Sequence, residues 1–276
     1  MKIPFTKAHG AHNDFLLTWR EAVPAALDLA RAARAISNRR TGPGADGWLL
    51  VSRPASGVPA AIQQLNSDGS PSEMSGNGTR CAAAFLIDSG QAPDAPGSDV
   101  VIQTGAGPKQ LRLLQRQGRA FSFEMNMGAA VIEKLQAKVL NHDCVILNVG
   151  NPQCAVFVDD FDFDWRTLGA HIEHNPRFPN RTNVSFVRVL DPRTVGHAIE
   201  ARFFERGAGE TMSSGTGSTG AGAAAVARGF VSNPVSVLTP AGPLDLRWLN
   251  HEIYLTGPAE IVAAGDFYYD EEGTSP

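Results

Sequence analysis

The sequence predicts an α/β protein built from two structurally similar halves, and three observations predict it. First, the chain has 276 residues, of which 43% are hydrophobic and 19% charged, the composition of an ordinary globular protein long enough for two modest cores. Second, short apolar or alternating runs punctuated by Gly and Pro dominate, with few helical stretches between them. Third, the segment from Ser75 to Gly90 resembles the segment from Ser214 to Gly229. Both open Ser-Gly-x-Gly, both continue into an Ala-rich stretch that reads as helix, and both end at a Gly where a helix C-cap belongs. The competing explanation is coincidence between two Ala/Gly-rich helices. Agreement of cap, glycines and terminator in one register, about half the chain apart, favours a repeat.

The elements follow in chain order. Leu49–Ser52, Val100–Thr104, Gln110–Leu114, Phe121–Met125, Val145–Val149, Ala155–Val158, Val184–Arg188, Ile199–Phe204 and Glu252–Leu255 carry the β-branched, aromatic or alternating pattern of strands. Val23 to about Asn38 reads as an amphipathic helix with Pro24 in its first turn. Gly128–Leu140 reads as a connector, which divides the chain into residues 1–128, residues 129–267 and an acidic, loose tail from 268 to 276.

Composition also excludes functions. A net charge of -4 with scattered basic residues gives no nucleic-acid footprint. The densest basic cluster, Arg31, Arg34, Arg39 and Arg40, reads as the solvated face and end of one helix. Cys81, Cys144 and Cys154 make an odd set without metal-ligand spacing, so neither a metal site nor a disulfide framework is expected, and a reducing cytoplasm fits. The N-terminal MKIPFTKAHG lacks a signal peptide's apolar core, and no run approaches the roughly 18 apolar residues of a membrane span.

The Gly-rich helix starts carry the chemistry. A helix N-terminus offers unpaired N–H groups and a positive dipole end, and glycines let a ligand approach closely. Such a start binds carboxylate or phosphate. Neither segment is a P-loop or a dinucleotide fingerprint. Acidic residues precede each one (Glu73; Glu205 and Glu210). The residues alone therefore point to an enzyme or binder for a small carboxylate.

Glu73-Met-Ser-Gly-Asn-Gly-Thr-Arg-Cys81 and Glu205-Arg-Gly-Ala-Gly-Glu-Thr-Met-Ser-Ser-Gly-Thr-Gly217 resemble the two active-site motifs of diaminopimelate epimerases. The segments Lys7–Phe15, Gly42–Gly47, Asn66–Gly69, Gly150–Cys154 and Phe178–Val184 agree with the same family in order. The resemblance implies two similar α/β domains, pseudo-twofold related, each a curled antiparallel sheet around a central helix, with the ligand in the cleft between them. It implies cofactor-independent inversion of the α-carbon of LL-2,6-diaminopimelate to the meso form, in lysine and peptidoglycan synthesis. One cysteine thiolate removes the α-proton, the other thiol protonates the opposite face, and both helix starts hold the α-carboxylate. The substrate-contacting positions it implies are Asn13, Asn66, Gly76, Asn77, Asn151, Asn183, Glu205, Arg206, Gly215 and Thr216. Arg206 suits the distal carboxylate and the asparagines suit the distal polar groups. Turn formation is the bland alternative for Asn66 and Asn183. A homodimer is an ordinary assembly for a small metabolic enzyme.

The chain departs from the family where the reaction happens. Ser75 and Ser214 stand at the two cysteine positions, and Gln153 stands where the family pairs a histidine with the first cysteine. Glu205, the partner of the second, is kept. A thiol titrates near about 8.5, whereas a serine hydroxyl needs an adjacent base. Ser75 thus lacks an evident activator and Ser214 retains one. Glu205, Glu210, Glu73 and His12 are the acid–base candidates, with solvated loop acids and a turn-shaping His12 as the bland alternatives. Three functions follow: an epimerase with reorganised proton transfer, a one-base isomerase or lyase of the same superfamily, or a non-catalytic amino-acid binder.

Overall fold

The computed structural model describes residues 1–191 and 197–270. The chain forms two compact units, Met1–Glu124 with Pro258–Pro276, and Met125–Gly257. The sequence reading kept residues up to 267 in the second half. The difference lies in one long C-terminal strand that leaves unit 2 at Gly257 and pairs between Glu260 and Tyr268 with the N-terminal strand.

In chain order the strands are β1 (Lys2–Gly10), β2 (Asn13–Trp19), β3 (Gly47–Ser52), β4 (Ala60–Asn66), β5 (Pro71–Ser72), β6 (Asp99–Thr104), β7 (Gly107–Gln117) and β8 (Ala120–Gly128), then β9 (Val131–Val139), β10 (His142–Asn148), β11 (Pro152–Phe157), β12 (Asn183–Val189), β13 (Ala198–Glu205), β14 (Gly209–Thr211), β15 (Val235–Thr239), β16 (Gly242–Leu249) and β17 (Glu252–Tyr268). The helices are α1 (Leu29–Ser37), α2 (Gly76–Asp88), α3 (Trp165–Glu173) and α4 (Gly215–Ala227).

Unit 1 pairs β1 with β2 antiparallel, β2 with β3 parallel, β3 with β4 antiparallel, β4 with β6 parallel and β6 with β7 antiparallel. β17 then pairs with both β1 and β8, which closes the sheet around α2. Unit 2 repeats the pattern: β10 with β11 antiparallel, β11 with β12 parallel, β12 with β13 antiparallel, β13 with β15 parallel, β15 with β16 antiparallel. α4 takes the place of α2, and α3 that of α1. The repeat inferred from the two Gly-rich segments is thus a repeat of topology.

Sequence explains the two kinds of helix. α4 is made of Gly, Ala, Ser and Thr with one Val, whereas α2 follows its Gly and Ala residues with Phe85, Leu86 and Ile87; both are buried almost throughout, because a helix enclosed by a sheet has no solvent face. Gly217 has no alternative, since a Cβ there would lie 2.8 Å from Phe203 Cδ1. Outside the sheets, α1 packs Ala32, Ala33 and Ile36 against Trp48, Leu50 and Leu65, and α3 places Trp165 and Ile172 against Phe186, Val156 and Cys154. Each fully buried Ile or Leu there stabilises the unit by roughly 1.5–3 kcal/mol. The central strands are buried on both faces and read as near-continuous apolar runs.

Several expectations need correction. The helix expected from Val23 begins at Leu29, where Asp28 accepts the Arg31 N–H and supplies the N-cap. The segment read as a connector is strand β9, whose charged and largely exposed side chains hid its pairing with β10. α3, capped by Asp164, was missed. In the tail, Tyr269 is buried and hydrogen-bonded to Met1, while 271–276 lie outside the described residues. The expected strands all fall in or overlap observed ones, and Gly90 and Gly229 end their helices at φ 70° and 71°. Among the described residues no helix is long and apolar enough to cross a membrane.

Candidate active site

In unit 1 the site residues gather at the start of α2. Ser75 is the N-cap in extended conformation, and its hydroxyl accepts the Gly78 N–H at 3.2 Å while its carbonyl accepts the Thr79 N–H. Among the described residues the Ser75 hydroxyl is bonded to no titrating side chain. Gly76 and Asn77 supply the remaining first-turn amides. The β1–β2 hairpin turns through Ala11 and His12 at φ 48° and 60°, the left-handed pair a tight hairpin requires, and so delivers Asn13. The turn packs on the helix start, where a Cβ on Gly10 would lie 3.2 Å from Asn77 Cα. His12 therefore shapes a turn, as its bland alternative had it.

Asn13 and Asn77 are built into a chain of bonds. Asn77 Nδ2 donates to Asn13 Oδ1 at 3.3 Å, and Asn13 Nδ2 donates to Asp46 Oδ2 at 2.8 Å. Arg39 bridges Asp14 and Asp46, and Lys7 reaches Asp14 at 3.1 Å. Burial alone would raise the Asp14 pKa, but hydrogen bonds from Arg39 and Lys7 outweigh it and hold the carboxyl below its ordinary value. Arg39 is exposed just past the end of α1, as the sequence reading has it, and in addition pairs with Asp14 and Asp46. Asn66 ends β4, where its Nδ2 donates to Ser70 Oγ at 3.0 Å within the turn that Asp68 stabilises. Glu73 is exposed in the β5–α2 loop. Cys81 is fully buried, and burial pushes its thiol up to about 12, which fits packing and not catalysis.

Unit 2 repeats the helix start and surrounds it differently. Ser214 caps α4, its hydroxyl accepting the Gly217 N–H at 3.0 Å. Glu205, at the end of β13, accepts Thr211 Oγ1 at 2.7 Å and is also stabilised by the Ser214 hydroxyl. Loss of hydration around its carboxyl outweighs both hydroxyls and holds its pKa above the ordinary value. The residue as a whole is half-buried, so the carboxyl is shielded without being cut off from the surface. A carboxyl so shielded holds its proton more tightly than a free one, the kind of shift found at acid–base sites.

Gln153 is buried beneath α4, where it packs on Gly220. Its Nε2 donates to Asn151 Oδ1 at 2.7 Å, and its Oε1 has no partner among the described residues. Asn151 Nδ2 passes the chain to Thr216 Oγ1 at 3.3 Å. Asn183 donates to the Pro152 carbonyl and accepts the Arg206 N–H, both at 3.0 Å. Each amide keeps one hydrogen and one lone pair free for a ligand, so the asparagines act as scaffold as much as contact. Arg206 is exposed, with Nη1 on the Asn180 carbonyl at 3.1 Å. Glu173, missed in the sequence, is buried and fixes this loop by accepting the Gly207 N–H at 2.9 Å and Arg181 at 2.6 Å. Glu210 is exposed and paired with Arg166 Nε and Nη2 at 2.5 and 2.8 Å, the arrangement of a solvated loop acid.

Known proteins were compared with this arrangement. A family model described as diaminopimelate epimerase matches residues 5–133 and 145–262. A diaminopimelate epimerase of Moorella thermoacetica is 37% identical over 287 aligned residues, covering 96% of this chain and 99% of that protein. One from Pelotomaculum thermopropionicum is 35% identical over 285, with coverage of 96% and 99%. Among solved structures, a probable proline racemase from Agrobacterium radiobacter matches with a TM-score of 0.75 at 16% identity, over 99% of this chain and 94% of that one. A phenazine biosynthesis protein of Bacillus anthracis matches with a TM-score of 0.72 at 12% identity, over 98% and 100%. These structural likenesses establish the shared fold.

Proposed function

The chain belongs to the diaminopimelate epimerase family, and from that premise we propose that it is a cofactor-independent, cytoplasmic isomerase that inverts the α-carbon of LL-2,6-diaminopimelate. The observation that carries the reading is the Glu205 carboxyl, kept above its ordinary pKa by burial and set beside the Ser214 hydroxyl at a helix N-cap. The Cα–H bond breaks as its proton passes to Ser214 Oγ, while the Ser214 hydroxyl proton passes to Glu205. The electron pair stays on Cα and spreads into the α-carboxylate, whose growing charge the first-turn amides Gly215 and Thr216 beside Ser214 stabilise, while the Gly76 and Asn77 amides of the α2 start are assigned to carboxylate binding. A proton from water delivered to the opposite face of Cα completes inversion, and Glu205 returns its proton to water. Arg206 and Asn66, Asn151 and Asn183 are assigned to the distal end of the substrate, and Asn13 to the support of Asn77.

A second reading is a one-base isomerase of the same superfamily. It is favoured by Ser75, whose hydroxyl has only a backbone partner among the described residues. Incubation with LL-diaminopimelate in D2O separates the readings. Meso product deuterated at the inverted centre supports the epimerase. Deuterium entering the LL isomer without inversion supports the one-base reaction. Absence of both, with binding intact, contradicts both and leaves a binder.

A further inference from the structure

Arg80 lies one turn inside α2 and is fully buried. Helical side chains lean towards the N-terminus, and this one does so: Nη2 donates to Asn77 Oδ1 in the first turn, and Nε donates to the Pro258 carbonyl at 3.0 Å. Both acceptors are neutral. Nη1 is buried with no partner among the described residues. Burial lowers the guanidinium pKa only to about 10, so it remains a cation at neutral pH. The nearby carboxylates are engaged elsewhere, Asp14 by Arg39 and Lys7, and Asp46 by Arg39 and Asn13. The bonded chain Lys7–Asp14–Arg39–Asp46–Asn13–Asn77–Arg80 therefore holds one more cation than carboxylates.

Such an arrangement is unfavourable twice over. A buried charge without a counter-ion is expensive, and a cation near the positive end of a helix is opposed by the dipole. An anion at the α2 start relieves both. Ser75 already takes the Gly78 and Thr79 N–H groups, which leaves Gly76 and Asn77 to receive it. Among the described residues α4 carries no equivalent cation: Thr219 stands in the position of Arg80 and bonds the Gly215 carbonyl.

We infer that Arg80 is a positioning residue that makes the α2 start an anion site, by aiming the Asn77–Asn13 amide chain and supplying the uncompensated positive charge that a carboxylate balances. This rests on reading the α2 start as a carboxylate-binding end of the active site.

The test is an acetate titration of the full chain, followed through the 15N–1H signals of Gly76, Asn77 and Gly78, with Gly215, Thr216 and Gly217 as internal control. Arg80→Met should weaken acetate binding at the α2 amides about tenfold and leave the α4 amides unchanged. Arg80→Lys, which keeps the charge, should recover most of the affinity. Unchanged acetate affinity in Arg80→Met overturns the inference. So does an equal loss at both helix starts, or a parent protein whose α2 amides do not respond. Should Arg80→Met fail to fold, Arg80→Lys and Asn77→Ser carry the same comparison: loss in Asn77→Ser with retention in Arg80→Lys supports the inference, and the reverse overturns it. Turnover of diaminopimelate is measured separately, so a failed epimerase reading is distinguishable from a failed role for Arg80.

Discussion

The two units share one topology and one helix-start motif, yet they surround the capping serine in opposite ways. Ser75 has a backbone N–H for a partner and a buried cation one turn away. Ser214 has the same backbone partner and a shielded carboxyl instead. Thr219 stands where Arg80 stands, and Glu205 has no counterpart bonded to Ser75 among the described residues. The fold therefore fixes where an anion can be held, while a few side chains around each cap decide what that half does. The proposed division of labour assigns carboxylate binding to the α2 start, beside buried Arg80, and proton transfer to the α4 start, beside shielded Glu205.

The sharpest way to break this contrast is Glu205→Gln. It should lower α-hydrogen exchange at least about a hundredfold, read by mass spectrometry of substrate recovered from D2O. Loss of less than threefold would remove the carboxyl from the mechanism. A gain should follow from the opposite change: Ser75→Cys, Ser214→Cys and Gln153→His together supply two thiols and an imidazole and should raise the rate of meso formation by one to two orders of magnitude. An unchanged rate would mean that other features of the site limit turnover.

Stability sharpens the contrast further. Asp14→Asn leaves Arg39 and Lys7 short of a carboxylate and should destabilise unit 1 by about 2 kcal/mol, seen as a lower urea midpoint. The Asp14 pKa is lowered on folding, so its contribution is present above the unfolded value and fades as pH falls towards and below it. Glu205 runs the other way. Its folded pKa is raised, so its ionisation weakens the fold as pH rises through that value. Glu205→Gln should therefore raise the melting temperature at pH 8 and change it little at pH 4. A gain confined to pH 4 would contradict the assigned environment.

The helix starts were legible because cap, glycines and terminator are local in sequence. Glu205 was legible because it lies in the same contiguous motif as Ser214. Arg39, Asp14 and Asp46 were not, because their bonds span 25 and 32 positions and nothing local separates Arg39 from a solvated helix end. Arg80 read as one more residue of a helix, since burial of a cation without an ion pair has no sequence signature. β9 was hidden by the opposite circumstance: Glu133, Lys134 and Lys138 face outward, and a strand with so little burial lacks the alternation that identifies one.

Ser75→Ala and Ser214→Ala, compared side by side, test the division of labour most directly. Both lose an N-cap bond, and each should cost about 1 kcal/mol in stability. In D2O the account predicts that Ser75→Ala keeps α-hydrogen exchange within about threefold of the parent, whereas Ser214→Ala loses at least about tenfold. Equal losses, or a larger loss in Ser75→Ala, would contradict it.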